Sequence, residues 1–397
     1  MSHGFAAAAH WKEDFDETRF QHWVEHLRAS LRGKVTLALV FMTPRFFSAA
    51  KQVLEIVQVH GQAPLVAGCS SQALISGDEE IEDGAGISLA LYHLPGADLK
   101  SFHFTQENID ECNGPAYWHL ETGIEPSQSN GWLAFGDPFN LDCDTWLRLW
   151  NEAYAPLPVL GGLASGDFSA RATQVYLNGK VYDEGVVVLS VGGSVALEGV
   201  ISQGCTPIGE TWTITRADQN LIYEIGNRPA YTVLAETFSK LPPEEQKRTQ
   251  GNLFVGLVIN EYLDEFRRGD FLIRNLIGAD PSSGIVAIGA FPRTGQTMQF
   301  QRRDAAAANE DMMETLNRAH AHLGERQIYG GCLCSCNGRG AHLFGYPNHD
   351  AAMIQKRLGP LALSGFFCNG EIGPVGDKNF LHGYTASLAL FVRKGKS

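Results

Sequence analysis

Apolar residues recur along this chain in two rhythms. Between residues 16 and 31, Phe20, Trp23, Val24, Leu27 and Leu31 fall at i, i+3, i+4, i+7 and i+11, which draws one apolar face on an α-helix. Residues 35–43 are an unbroken apolar run, the pattern of a strand covered on both faces. A helix over 48–60 and a strand over 65–69 follow. Short strands are predicted over 86–92, 99–104 and 132–135, then a helix over 142–154 that stops before Pro156 and Pro158.

The middle of the chain is strand-rich. Asn178-Gly179 between two alternating runs predicts a hairpin, because both residues tolerate the positive φ of a tight turn. Strands over 186–191, 196–202 and 211–215 continue the pattern. Near Asn227-Arg228-Pro229-Ala230 it changes to a helix start. Beyond lie strands over 252–260, 285–290, 298–302, 328–336, 361–367 and 384–392, with helices over 304–323 and 349–358. Many strands succeed one another without a helix between them. The expected fold is therefore α+β: two related layered α/β halves with mostly antiparallel sheets flanked by helices. The expected division is an N-terminal helix over 1–34, a first domain over 35–226 and a second over 227–392. Strands that run into glycine-rich turns at Cys69, Gly162, Cys336 and Cys368 give the two parts their likeness.

Charge narrows the partners. The chain carries 44 acidic against 31 basic residues, a net charge of -13, with no basic block, so nucleic acid and anionic membrane surfaces are not expected. The longest stretch free of Asp, Glu, Lys and Arg, residues 56–77, still holds Gln58, His60, Gln62 and Pro64, and no membrane insertion is expected. Residues 1–11 lack the basic start and apolar core of an export signal. The eight cysteines are expected as thiols in a reducing cytoplasm.

Three patterns bear on chemistry. His22-Trp23-Val24-Glu25-His26 matches the H-x-x-E-H spacing of some zinc proteases, but on the predicted helix these groups lie away from Phe20, Trp23 and Leu27 and face solvent, so no metal is expected there. Cys332, Cys334 and Cys336 alternate along one strand and share a face; the first two read as small core residues. Cys336 abuts Asn337-Gly338-Arg339-Gly340, where a guanidinium and backbone N–H groups favour a reactive thiol. Asp167 and Glu371 stand beside glycine-rich turns, as turn-stabilising groups or as contacts for a ligand. No phosphate-binding, nucleophile-elbow or dinucleotide signature is present, and no cofactor is expected.

Several segments together resemble the FIST family, an N-terminal FIST domain followed by a FIST C domain. They are Gly68-Cys69-Ser70-Ser71, Gly161-Gly162-Leu163-Ala164-Ser165-Gly166-Asp167 and Gln203-Gly204-Cys205-Thr206-Pro207-Ile208-Gly209, then Gly226 to Ala230, Cys336 to Gly340 and Gly365 to Gly373. The resemblance implies a sensory module for small ligands such as amino acids, acting in signal transduction, here without a fused output domain and without the F-box of some relatives. Where the family often shows a small residue, Gly and an acid, this chain has Gln72-Ala73-Leu74, which weakens a ligand site in the N-terminal half. The residues expected to bind ligand are Cys336, Asn337, Arg339, Asn369, Glu371, Gly162, Asp167 and Ser70. Arg339 and Glu371 suit a zwitterion, or pair with each other to tie two turns. Two rival readings are an enzyme that uses Cys336 as nucleophile with His342 or His382, and a protein-interaction adaptor.

Overall fold

The computed structural model describes residues 4–167 and 169–395. The chain is α+β, with mostly antiparallel sheets flanked by helices. It packs as two compact units, one of Met1–Ile201 with Thr315–Ser397, the other of Ser202–Glu314. Residues 226 and 227, where the sequence pattern changes, form a tight turn inside the second unit.

The strand-to-glycine pattern recurs three times in the first unit. The first repeat runs β1 (Ala6–Trp11), α1 (Glu17–Ala29), β2 (Leu37–Met42), α2 (Ala50–His60), β3 (Val66–Ser70), a hairpin of β4 (Leu74–Ser76) and β5 (Glu79–Ile81), and β6 (Ile87–Tyr92). The second runs β7 (Ala97–Phe104), α3 (Gln106–Glu111), α4 (Pro115–Thr122), β8 (Trp132–Gly136), α5 (Cys143–Tyr154), β9 (Val159–Leu163), a hairpin of β10 (Val175–Leu177) and β11 (Lys180–Tyr182), and β12 (Val186–Gly193). The third opens with β13 (Val195–Ser202) and is interrupted by the second unit.

That second unit contains β14 (Cys205–Asp218), β15 (Leu221–Ile225), β16 (Arg228–Pro229), α6 (Ala230–Ser239), α7 (Pro243–Thr249), β17 (Leu253–Val258), β18 (Phe271–Asp280), β19 (Ile285–Ile288) and β20 (Thr297–Arg303). Its strands form one sheet in the order β14-β20-β17-β18-β19-β15-β16, and β14 also pairs with β15, which closes the sheet on itself. Ala230, Val233 and Leu234 of α6 pack into its core with Ile214, Val255 and Phe300. The third repeat resumes through α8 (Ala305–Leu323), β21 (Ile328–Cys336), α9 (Ala341–Phe344), α10 (His349–Leu358), β22 (Leu363–Cys368), a hairpin of β23 (Gly370–Val375) and β24 (Lys378–His382), and β25 (Ala386–Arg393).

Each repeat builds a six-stranded sheet on one plan. The orders are β1-β6-β2-β3-β10-β11, β7-β12-β8-β9-β23-β24 and β13-β25-β21-β22-β4-β5. First and last strands of a repeat lie together, then the two parallel strands of a strand–helix–strand unit, then a hairpin donated by another repeat. The exchange is cyclic: the first repeat lends its hairpin to the third sheet, the second to the first, and the third to the second. Backbone bonds keep the same register throughout, with the N–H groups of Thr43, Asp137 and Cys336 donating to the carbonyls of Gly86, Gly185 and Thr385.

Glycine holds the parallel pairs together. Gly68, Gly161 and Gly365 occupy equivalent places in β3, β9 and β22, and a Cβ there would lie 1.8, 1.9 and 2.0 Å from the carbonyl oxygens of Val40, Ala134 and Leu333. Only hydrogen fits, so the chain reads as glycine-rich at the ends of these strands. The inner faces of the three sheets share one core, centred on Phe41, Phe135 and Phe366, whose rings lie 4.7 to 5.9 Å apart. Helices cover the outer faces, Phe20, Val24 and Leu27 of α1 on the first sheet and Trp118, Trp146 and Trp150 on the second. The alanine run of β1, which shows no alternation, turns Ala6 and Ala8 into the shared core and Ala7 toward the helices.

Candidate functional site

The C-terminal ends of β3, β9 and β22 converge. Ser70 Oγ donates to the Ser165 carbonyl at 2.9 Å and accepts from Gln174 N–H at 2.9 Å. Ser71 Oγ and Ser165 Oγ both donate to the Phe367 carbonyl, at 2.8 and 2.6 Å. Asn369 Nδ2 donates to the Ala164 carbonyl at 3.0 Å, and Asn337 Nδ2 to Asn369 Oδ1 at 2.8 Å. Ser70, Gly162, Cys336, Asn337, Asn369 and Glu371 are thus gathered where the three repeats meet. Ser70 and Gly162 are buried, Cys336 and Asn337 half-buried, Asn369 exposed. Asp167 does something local: its carboxylate, held below the ordinary range by the Ser169 hydroxyl and the Ala170 and Ser169 N–H groups, caps its own exposed turn.

The third repeat departs from the other two here. Parallel pairing sets Cys336 opposite Cys368, so the two thiols share a side of the sheet. The equivalent places hold Thr43 with Ser71 in the first repeat and Asp137 with Ala164 in the second. Glu371 takes the place that Leu74 and Val175 fill in the other donated hairpins, where both are core residues. A carboxyl group is therefore fully buried where the fold elsewhere puts an aliphatic chain.

Its surroundings explain how it is tolerated. Glu371 Oε2 accepts from Thr385 N–H at 2.8 Å and Oε1 from the Cys368 thiol at 3.2 Å, while the Cys336 thiol also reaches it. Burial pushes its pKa up to about 7, against the pull of these donors and of the Arg339 charge. Burial, with Glu371 and Cys336 beside it, raises the Cys368 thiol well above the ordinary range. Glycine at 162 makes room, since a Cβ there would lie 3.1 Å from Cys368 Sγ.

Arg339 is fully buried behind this group. Its Nε and Nη2 donate to the two oxygens of Asp350 at 2.6 and 2.9 Å, and its guanidinium lies 5.4 Å from the centre of the Phe344 ring. His349 bonds the same carboxylate at 2.8 Å and stacks on Phe344. Burial would raise the Asp350 carboxyl, yet Arg339 and His349 hold it well below the usual carboxylate range. Glu80 is buried on the other side, pushed up to about 7 by burial and by Asp350, with Oε1 accepting from Ala351 N–H. The guanidinium fork is engaged with Asp350, a partner eleven residues along the chain that the sequence reading did not consider.

Cys368 is the site residue that sequence reasoning missed. Its signal is visible: Cys336-Asn337-Gly338 and Cys368-Asn369-Gly370 repeat one tripeptide at the ends of two strands. His342 is exposed on α9, and His382 Nε2 bonds the Gly373 carbonyl at 3.0 Å. His22 and His26 are exposed on α1, and Glu25 between them is held by Gln21 and His60. A separate cavity of about 310 Å³ in the same unit is lined by Glu198, Val200, Arg318, His322, Leu323 and Pro374, with Glu198 bonded by Arg326 at 2.6 Å.

Comparison with known proteins shows the family. The FIST N domain model matches residues 36–228 and the FIST C domain model residues 230–374. The chain belongs to the FIST family. FIST domains are sensory, ligand-binding domains of signal transduction. An uncharacterized protein of Mycobacterium tuberculosis is 35% identical over 370 residues, covering 92% of this chain and 94% of its own. One of Mycobacterium bovis is 36% identical over 368 residues, covering 92% and 93%. Among solved structures, the cyanuric acid hydrolase of A. caulinodans aligns over 98% of this chain and 99% of its own at 6% identity, with a TM-score of 0.38. No helix among the described residues is long and apolar enough to cross a membrane.

Proposed function

We propose that this FIST protein is a cytoplasmic sensor whose ligand, an amino acid or related carboxylate, binds at the C-terminal ends of β21 and β22 and is reported to a signalling protein. The observation that carries the reading is the break in the threefold plan. Of three equivalent strand ends, only that of the third repeat combines two thiols, two side-chain amides and a buried carboxyl group. A buried carboxyl group that costs stability where the other repeats place Leu74 and Val175 has a use other than folding.

Each side chain has a part. Asn337 and Asn369 each donate one amide hydrogen within the site, which leaves the second of each for the oxygens of a ligand carboxylate. Cys336 ends β21 beside Asn337, with its thiol on Glu371. Arg339, with its fork on Asp350, holds the 336–340 turn, while Ser70 and Gly162 fix and clear the neighbouring strand ends. The test is a thermal-shift screen with the twenty amino acids, their deaminated acids and their decarboxylated amines. At about 100 times its Kd a ligand adds about 2.7 kcal/mol. The reading expects amino acids or acids to stabilise the protein, amines not to, and Asn337→Ala with Asn369→Ala to abolish the effect. A screen in which no carboxylate stabilises the wild type overturns it.

A further inference from the structure

We propose that Cys336 and Cys368 are a redox-active dithiol, converted to an intramolecular disulfide by small-molecule disulfides, with Glu371 carrying the thiol protons. The disulfide needs no ligand at the amide groups, so its formation can be tested whether or not a carboxylate binds there.

Geometry comes first. The two cysteines are in-register partners at the last rung of a parallel pair, on the same side of the sheet. Neighbouring strands lie about 4.8 Å apart, within the roughly 4.4 to 6.8 Å between Cα atoms that a disulfide spans. The rung sits where β21 and β22 both end, so closing the bond does not require the interior of the sheet to move. Access comes second. Cys336 is half-buried, whereas its partner Cys368 is fully buried. That is the division of labour between an attacking thiol and a resolving one. Proton handling comes third, because the carboxyl group of Glu371 contacts both thiols and loses its proton near neutral pH. Cys332 and Cys334, on the same face of β21, lie deeper in the shared core.

The exchange balances. Cys336 gives its proton to Glu371, and its thiolate attacks one sulfur of R–S–S–R. The S–S bond breaks, a mixed disulfide Cys336–S–S–R forms, and RS⁻ leaves, taking the proton as RSH. Cys368 then gives its proton to Glu371, attacks the Cys336 sulfur and displaces the second RS⁻, which takes that proton. One external disulfide is reduced to two thiols, and the protein dithiol is oxidised by two electrons.

The full chain would be incubated with oxidised glutathione, quenched with acid, alkylated after unfolding and mapped by mass spectrometry. The expected product is a Cys336–Cys368 linkage in wild type. In Cys368→Ser the expected product is glutathione retained on Cys336, and in Glu371→Gln linkage slower by about tenfold or more. Circular dichroism of each variant confirms that it is folded, and the wild-type result stands without them. Wild-type protein whose Cys336 stays unmodified, or carries glutathione while Cys368 remains alkylatable, overturns the proposal.

Discussion

Replacing Asp350 with Asn tests whether Arg339 belongs to the scaffold of the site. The pair is 0% and 1% exposed, with two parallel hydrogen bonds and a third group, His349, on the same carboxylate. Asn keeps the shape and removes the charge. Arg339 then stays buried with Glu371 as a nearby acid, whose own burial favours its neutral form. Removing one partner of a buried ion pair costs about 3 to 5 kcal/mol. Arg339→Lys keeps the charge but gives up the two-point contact and the flat packing near Phe344, for a loss of about 1.5 to 3 kcal/mol. The double variant Arg339→Met with Asp350→Leu removes both charges and should recover most of that loss. Urea unfolding followed by tryptophan fluorescence reads the first unit, because of the seven tryptophans only Trp212 lies in the second. Single variants within about 0.5 kcal/mol of wild type, or a double variant no better than Asp350→Asn, would refute the reasoning.

Glu371→Gln should remove a pH dependence. Its folded pKa of about 7 lies above the ordinary 4.5, so between those values the folded state keeps a proton that the unfolded state has lost, and wild-type stability falls as pH rises. That difference corresponds to about 3 kcal/mol. The stability of the variant relative to wild type should therefore rise by that amount between pH 4.5 and 8 in urea titrations; a flat difference contradicts the assignment. Gly161→Ala should cost more than about 4 kcal/mol or abolish folding, because its Cβ would meet the Ala134 carbonyl at 1.9 Å. Gly383→Ala, where no heavy atom lies within 4 Å, should stay within about 0.5 kcal/mol, and equal effects at the two positions would sink the close-approach argument.

Much of this fold is legible from local pattern. The apolar run of β2, the spacing along α1 and the Asn178-Gly179 turn, with φ of 49° and 81°, each carry their own physical cause. What escapes is whatever depends on a distant partner. β23 holds two glycines and Pro374 and reads as a turn, yet it is a strand because β9 and β24 supply its hydrogen bonds. β4 and β5 are three residues each, and pairing with β22 makes the hairpin part of the third sheet. The cyclic exchange of hairpins cannot be read from any one segment. The site divides in the same way. The residue types at 336–340 and 369–371 stood out beside their glycines, whereas the contact among Cys336, Cys368 and Glu371 follows from a register, and the hold of Asp350 on Arg339 from the packing of α10.

The most direct measurement is a crystal structure of the full chain with the amino acid or carboxylic acid that gives the largest thermal shift. Its carboxylate should lie within hydrogen-bond distance of the Asn337 and Asn369 amides, at the ends of β21 and β22, with Arg339 still on Asp350. Ligand density in the cavity lined by Glu198, Arg318 and His322, with the strand ends unchanged, would contradict it.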